Sequence, residues 1–348
     1  MAEAAPMDYW TYFSGEAKRG QSPLYERLAL AIGADEKLRA IAAHAKPGQP
    51  QANLILGAVH YLLLRGEAHP LADHYPSVRP NARPAGDDPM PLFADFCRKH
   101  EAEIVRLIER RVTNTNEVAR STQLYPAFDH IAHETTADLH LVEIGPSAGF
   151  NLNWDRYHYA YRHNGHALTR GASDARLNLE VPLRGEHVPP LLPAFPKVAS
   201  RVGLELNPVD LQSTEDRLWL KALIWPELGH RFARLDAAIA TAREFPHRIV
   251  TGNALELLES AVTDLPPSGV AVVYHSYVTY QFSEAMRQRL NEIIEALSHK
   301  RTIYRVSIEW EGGGNCPIIV GRYEKGSVTR RTIALCDGHA AWLEWCAP

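Results

Sequence analysis

Between Leu139 and Phe150 the chain reads Leu139-His140-Leu141-Val142-Glu143-Ile144-Gly145-Pro146-Ser147-Ala148-Gly149-Phe150. An apolar run that ends in an acid, followed by two glycines around a serine, can do two kinds of chemistry. In the first, Gly145 and Gly149 let the backbone turn tightly and approach a ligand closely. The ligand then lies where the loop meets a helix N-terminus, and Glu143 accepts hydrogen bonds from its amine or hydroxyl groups. In the second, Gly145-Pro146-Ser147-Ala148-Gly149 satisfies G-x-S-x-G, in which a sharp strand-to-helix turn presents a serine nucleophile. Glu309 and His339 would follow it in the order acid, histidine. A third reading is packing alone, since a Gly-x-x-x-Gly turn lets a helix lie close to the strand before it.

The elements around this loop must position it. Before Leu139 the pattern is helical. Ser22-Pro23 combines a cap with a first-turn proline, and Leu24, Leu28, Ala31 and Ile32 then share a face. Further helices are expected over 38–45, 52–65, 89–110 and 118–133, with a proline- and glycine-rich loop from Val78 to Pro91. After Thr136 strands alternate with helices. Strands are expected at 139–144, 202–206, 248–252, 270–275 and 302–310, then two more at 318–323 and 330–335 as an antiparallel pair. Helices are expected at 150–157, 216–224, 231–244, 254–263 and 283–297. Val270-Ala271-Val272-Val273-Tyr274 is apolar throughout, which suits a central strand. The expected fold class is α/β with a mainly parallel sheet. A helical N-terminal domain, 1–135, precedes an α/β domain, 136–348, that carries an insertion at about 162–198.

The order of strand-end residues resembles that of class I S-adenosylmethionine-dependent methyltransferases. Glu143 stands at the acidic position, and Gly145 and Gly149 at two of three glycines, with Ser147 in place of the middle one. Glu205 in Val202-Gly203-Leu204-Glu205 is similar to the acid that holds the ribose hydroxyls. Thr251-Gly252-Asn253-Ala254 resembles the segment near the adenine, and Tyr274-His275-Ser276-Tyr277 the end of the fourth strand, at the reaction centre. The resemblance implies a Rossmann-like sheet and S-adenosylmethionine as cofactor, bound by Glu143, Gly145, Ser147, Gly149, Asn151, Glu205, Asn253 and Ala254. It implies a small-molecule methyl acceptor, with His275 and Tyr277 at the chemistry. His275 has the type and place of a general base, although it could equally cap the strand end. The Asn-Pro-Pro-Tyr signature of amine methylation is absent.

More narrowly, the chain resembles a bacterial family of uncharacterised proteins with this fold. The segments that carry this are Thr115-Asn116-Glu117-Val118-Ala119-Arg120, Glu143 to Asn151 with Asp155-Arg156-Tyr157, Leu218-Trp219-Leu220 with Trp225-Pro226, and Asp337-Gly338-His339 with Trp342 and Trp345. It implies that Asn116, Glu117, Arg120 and Tyr274 face the substrate, although Glu117 and Arg120 are also spaced as a surface helix pair. Arg156 is expected in a structural ion pair, and Trp219, Trp225, Trp342 and Trp345 in core packing. The serine-nucleophile reading ranks below the methyltransferase one: a hydrolase elbow needs several strands before it, and that region is helical here. A non-catalytic binding protein that keeps the fold is the remaining alternative.

Composition narrows the partners. The chain has 348 residues, a formal net charge of −4 and no broad basic bias, which argues against nucleic-acid binding. Four cysteines without a CxxC spacing do not suggest zinc and suit reduced thiols in a cytoplasmic protein. Met1 to Trp10 lacks a basic stretch followed by an apolar run, so no secretory signal is expected. The longest apolar run, Asn53 to Leu64, falls short of the about 20 residues that span a bilayer and contains His60; it reads as a buried helix.

Overall fold

A computed structural model describes residues 8–81, 87–113, 116–310 and 315–346. Residues 82–86 of the expected loop, and Thr115 of the family-like segment, lie outside them. In chain order the helices begin with α1 (Tyr9–Arg19), α2 (Pro23–Ala34), α3 (Glu36–Ala42), α4 (Gln51–Arg65), α5 (Met90–Lys99), α6 (Glu101–Arg110) and α7 (Ser121–Thr135). Then come β1 (Leu139–Ile144), β2 (His158–His163), β3 (His166–Arg170), β4 (Asn178–Arg184) and β5 (Val198–Glu205). Next are α8 (Thr214–Ala222), α9 (Gly229–Glu244), β6 (Arg248–Thr251), α10 (Ala254–Thr263) and β7 (Val270–Ser276). The chain closes with α11 (Glu284–Ser298), β8 (Ile303–Ile308), β9 (Cys316–Glu324), β10 (Ser327–Cys336) and β11 (Leu343–Trp345).

The chain divides into two compact units. The first takes 1–115 together with 210–236; the second takes 116–209 and 237–348. The cut therefore falls some way before the expected position at 135, because α7 packs with the sheet. In the first unit, Ser22 caps α2 by accepting the Tyr25 N–H at 3.3 Å, with Pro23 in the first turn. The apolar run is the core helix α4, in which every residue from Leu54 to Leu63 is buried. His60 inside it is satisfied at both ring nitrogens, by the Ala222 carbonyl at 3.0 Å and the Ser77 hydroxyl at 2.7 Å. Burial pushes its pKa down to about 4. No helix among the described residues is long and apolar enough to cross a membrane.

The second unit is built on an eleven-stranded sheet of order β3-β2-β4-β11-β10-β9-β8-β7-β1-β5-β6. β6, β5, β1, β7 and β8 run parallel, and β9 and β10 follow as an antiparallel pair. Strand order reverses between β1 and β7, the place where open sheets of this kind take their ligands. One face packs Val142, Ile144, Val202, Leu204, Ala271 and Val273 against α10 and α11. The other is covered by α7, where the Phe128 ring lies 5.0 Å from that of Tyr274.

The expected insertion turns out to be part of the sheet. β2 and β3 form a hairpin through Asn164-Gly165, both at positive φ, as a two-residue turn between right-twisted strands requires. β4 then pairs with β2, and the short β11 joins β4 to the main sheet. α7 is fastened to this hairpin. Pro126 inside the helix has no N–H to donate to the Thr122 carbonyl, and the Tyr161 hydroxyl donates there instead at 2.9 Å.

Candidate functional site

The end of β1 is fixed by register. Glu143 is paired with Tyr274 on β7, so both side chains emerge on the same face. The Tyr274 hydroxyl donates to Glu143 Oε2 at 3.0 Å, and Asn151 also hydrogen-bonds the carboxyl group. Asn151 Oδ1 in turn accepts from the Ser121 hydroxyl at 2.8 Å. Glu143 is buried, and that burial raises its pKa to about 8 against the opposing pull of these two bonds. It is a protonated internal strut at neutral pH, rather than an ionised acid facing solvent.

The loop that follows uses left-handed backbone at Gly145 (φ +69°), Ser147 (φ +54°) and Gly149 (φ +75°). At Gly145 the glycine is also needed for space: a Cβ there would lie 2.6 Å from Val278 Cγ2. Ser147 bears a side chain in a conformation that costs energy, so its surroundings must hold it. They do. Its N–H donates to Glu205 Oε2 at 2.7 Å, and its hydroxyl oxygen accepts from Asn116 Nδ2 at 2.9 Å. Asn116 Oδ1 accepts the Ala148 N–H at 3.0 Å. Glu205 ends β5 beside the loop, and its second oxygen accepts the Asn207 N–H at 2.9 Å. It is half-buried, and the next residue, Leu206, is 66% exposed.

His275 occupies a different place from that of a base at the chemistry. It is fully buried, and both ring nitrogens are engaged. Nδ1 lies 2.6 Å from Glu309 Oε1, while Nε2 accepts from Arg305 Nε at 3.0 Å and Nη2 at 2.9 Å. Accepting at Nε2 requires the neutral ring with its proton on Nδ1, and burial lowers the pKa in the same sense. Glu309 also accepts the N–H groups of Val278 and Tyr280, both at 3.1 Å. Arg305, His275 and Glu309 thus form a strut, buried at His275 and half-buried at its two ends, that holds the 278–280 turn, whose Val278 side chain fills the space beside Gly145.

Tyr277, the other residue expected at the chemistry, has φ +57° and a half-buried ring. The Arg120 guanidinium lies 4.2 Å over that ring, and the hydroxyl is 2.5 Å from Cys316 Sγ. Burial, with Cys316 beside it, raises its pKa. Arg120 is buried and donates to the carbonyls of Gly338, at 3.0 Å, and Ser276, at 3.4 Å. Glu117 is buried too and caps the 118–120 turn by accepting the Ala119 N–H. The surface-pair alternative for these two residues is therefore not what the structure contains.

The remaining expected residues divide. Asn253 caps α10, its Oδ1 accepting the Leu255 N–H at 3.0 Å, and Ala254 follows it half-buried as the first residue of that helix. The expected ion pair of Arg156 is made instead by Arg201 with Asp155, at 2.7 and 2.8 Å, while Arg156 stacks over Phe245 at 4.6 Å. The four tryptophans split between the units, Trp219 and Trp225 packing in the first and Trp342 and Trp345 in the second. For the serine-nucleophile reading, Glu309 is committed to His275 and the 278–280 turn, and the Ser147 oxygen to Asn116. Sequence reasoning missed Ser121, Asn207 and Arg305. The only signal for them was position, beside strand ends already under suspicion.

With this geometry in view, the comparison with known families is specific. Residues 10–345 match the model of a family described as "Uncharacterized protein conserved in bacteria (DUF2332)". The chain belongs to this family. The match spans both compact units, so the helical unit is as much part of the family as the sheet that carries the candidate site. No curated protein matches the sequence.

Proposed function

We propose that the protein binds S-adenosylmethionine at the carboxyl ends of β1, β5 and β7 and transfers its methyl group to a small molecule. The observation that carries this reading is the state of the Glu205 carboxyl group. Each of its oxygens accepts one backbone N–H, from Ser147 and Asn207. A carboxylate oxygen has two lone-pair directions, so each retains one, a pattern that suits the two adjacent hydroxyls of a ribose. Leu206, next in the chain and largely exposed, offers an apolar surface that a purine beside that ribose would cover. The strained loop 145–149 lies at the reversal of strand order, where open sheets of this kind take their ligands. The resemblance carried by Gly145, Gly149 and Glu205 agrees with this placement, while Glu143, buried against Tyr274 and Asn151, stands behind it.

S-adenosylmethionine supplies a methyl group on a positively charged sulfur, ready for attack by a nucleophile. What the chain supplies is orientation, the larger part of catalysis in such a transfer. The Arg305–His275–Glu309 strut fixes the turn over the loop, and Arg120 fixes the Tyr277 ring. His275 is spent on that strut, so it does not serve as the proton acceptor. Titration calorimetry with S-adenosylmethionine and S-adenosylhomocysteine tests the reading. Both should bind, and Glu205→Ala should abolish detectable heat. A protein that shows neither heat nor a thermal shift at millimolar ligand does not have this function, because a ligand specific to the native state must stabilise it.

A further inference from the structure

The β2–β3 hairpin forms one edge of the sheet, with β3 outermost. Its register sets Tyr161 opposite Leu168 and His163 opposite His166. Directly opposed residues of an antiparallel pair point to the same face, so these four side chains share one side of the hairpin. Val188, 39% exposed, joins them from the segment after β4. Together they line a cavity of about 420 Å³. Its wall is largely apolar. The Tyr161 hydroxyl is committed to the Thr122 carbonyl at 2.9 Å, so Tyr161 offers mainly its ring. The two histidines stand at the end of the cavity, on either side of the Asn164-Gly165 turn.

The hydrogen bonding of His163 says what those rings present. Its Nε2 lies 3.0 Å from the Gly185 carbonyl. A carbonyl oxygen can only accept, so Nε2 carries the proton and Nδ1 presents a lone pair. A backbone carbonyl on one ring nitrogen is also the usual way in which a metal-binding histidine is oriented, with the other nitrogen left to the ion. Opposed residues have Cβ atoms about 4.5–5.5 Å apart, so both rings can reach one ion from the same face. The lone pair disfavours an anion as the occupant. A hard cation such as Ca²⁺ or Mg²⁺ prefers carboxylates, and none lines the cavity. No group of three or more His, Cys, Asp or Glu side chains able to hold a metal occurs among the described residues. The chain therefore supplies two ligands here and leaves the other coordination positions open, unlike a closed structural zinc site.

We infer that His163 and His166 bind one late first-row divalent metal ion at the tip of the β2–β3 hairpin. Imidazole suits Cu²⁺, Ni²⁺ and Zn²⁺, and for a given set of ligands Cu²⁺ binds most tightly of the three. The ion ties β2 to β3 across the outermost pair of the sheet, in the same hairpin whose Tyr161 supports α7. With two protein ligands the site is exchangeable, and its open positions face the cavity. This inference is independent of the methyltransferase reading, since it uses no residue of that site.

The test uses the full chain, carrying no added histidines and stripped with EDTA, with Cu²⁺ and Ni²⁺ as probes. Electron paramagnetic resonance of the protein with one equivalent of Cu²⁺ should show two imidazole nitrogens on the metal. His163→Asn and His166→Asn should each weaken Ni²⁺ in calorimetry about tenfold or more, the least that losing even an outer partner of a metal ligand costs. His187→Asn, exposed and outside the cavity, should leave the affinity unchanged. Ni²⁺ should raise the melting temperature of the wild type and not of the double variant, because an ion bound to the native state stabilises it. Affinity that both asparagine variants retain means an adventitious ion only and overturns the inference. A Cu²⁺ spectrum with a single nitrogen overturns it too. So does binding that occurs only as the chain dimerises in sedimentation, which would put the two histidines on different copies. The nitrogen count is read on the unaltered protein, so it stands even if a variant folds poorly.

Discussion

The two flanks of the Gly145–Gly149 loop are built on opposite terms. On the β7 flank, Glu143, Tyr274 and His275 are buried, and their polar atoms are satisfied largely by other side chains. On the β5 flank, Glu205 is half-buried, satisfied by backbone N–H groups, and followed by the exposed residues Leu206 and Asn207. Side-chain partners deep in a sheet make a support that cannot move without unpairing something. Backbone partners at an open edge leave the carboxyl group fixed but still receptive. The loop therefore has a rigid flank and a receptive one, and substitutions on each should report different quantities.

The largest effect is expected on the rigid flank. His275→Ala leaves Arg305 and Glu309 without the ring between them. Removing the buried ring that pairs two half-buried charges should cost about 2–3 kcal/mol, to be read as a fall in the urea midpoint. If stability is unchanged, the strut does not exist as described. Next comes Glu205→Ala on the receptive flank. Losing two hydrogen bonds to a charged acceptor should weaken S-adenosylhomocysteine by about a hundredfold, about 2.7 kcal/mol. The melting temperature should fall much less than for His275→Ala. A variant that lost stability but kept affinity would invert the comparison.

Glu143 gives the contrast a pH signature. An unfolded carboxyl ionises at about 4.3, whereas this one does so in the native state only at about 8. Between these values the native state holds a proton that the unfolded chain has released. Stability should therefore fall as pH rises, by at most about 1.4 kcal/mol per pH unit, and level off above about 8. Glu143→Gln should remove that slope in urea titrations from about pH 5 to about pH 8. Parallel curves for the two proteins would show that Glu143 is ionised after all. Asn116→Ala gives up two bonds to the loop and should cost about 1–2 kcal/mol. The smallest stability effect is expected for Leu206→Ala, within about 0.5 kcal/mol; its measurable consequence should be a severalfold loss of nucleoside affinity.

Much of this was legible in the sequence where one periodicity ruled. The apolar run at Val270–Tyr274 and the Ser22-Pro23 and Asn253 caps lead directly to β7, α2 and α10. α1 was not anticipated, because its apolar face is short and Asp8, its cap, sits among residues without pattern. One helix was expected over 89–110, but the chain makes two, breaking at His100. β11 has three residues, and only its neighbours on either side make it a strand. In the site, residue type drew attention to Glu143, Gly145, Gly149, Glu205 and His275, but it could not tell which of them are packed inward, as Glu143 and His275 are. A histidine after a strand has the same one-dimensional signature whether it faces a substrate or an arginine. What decided its role was Arg305, thirty residues later and on the neighbouring strand.

Pro126 carries a last consequence for anyone trimming the chain. The Thr122 carbonyl that it leaves without a helical donor is answered by Tyr161, near the end of β2. Cutting out the 158–184 hairpin region to obtain a smaller sheet unit would strand that oxygen inside the molecule. It would also expose the ring cluster of Tyr125, Trp154 and Phe195. The segment that looks like an ornament along the sequence is a keystone for the helix behind the site, and a minimal version of this protein has to retain it.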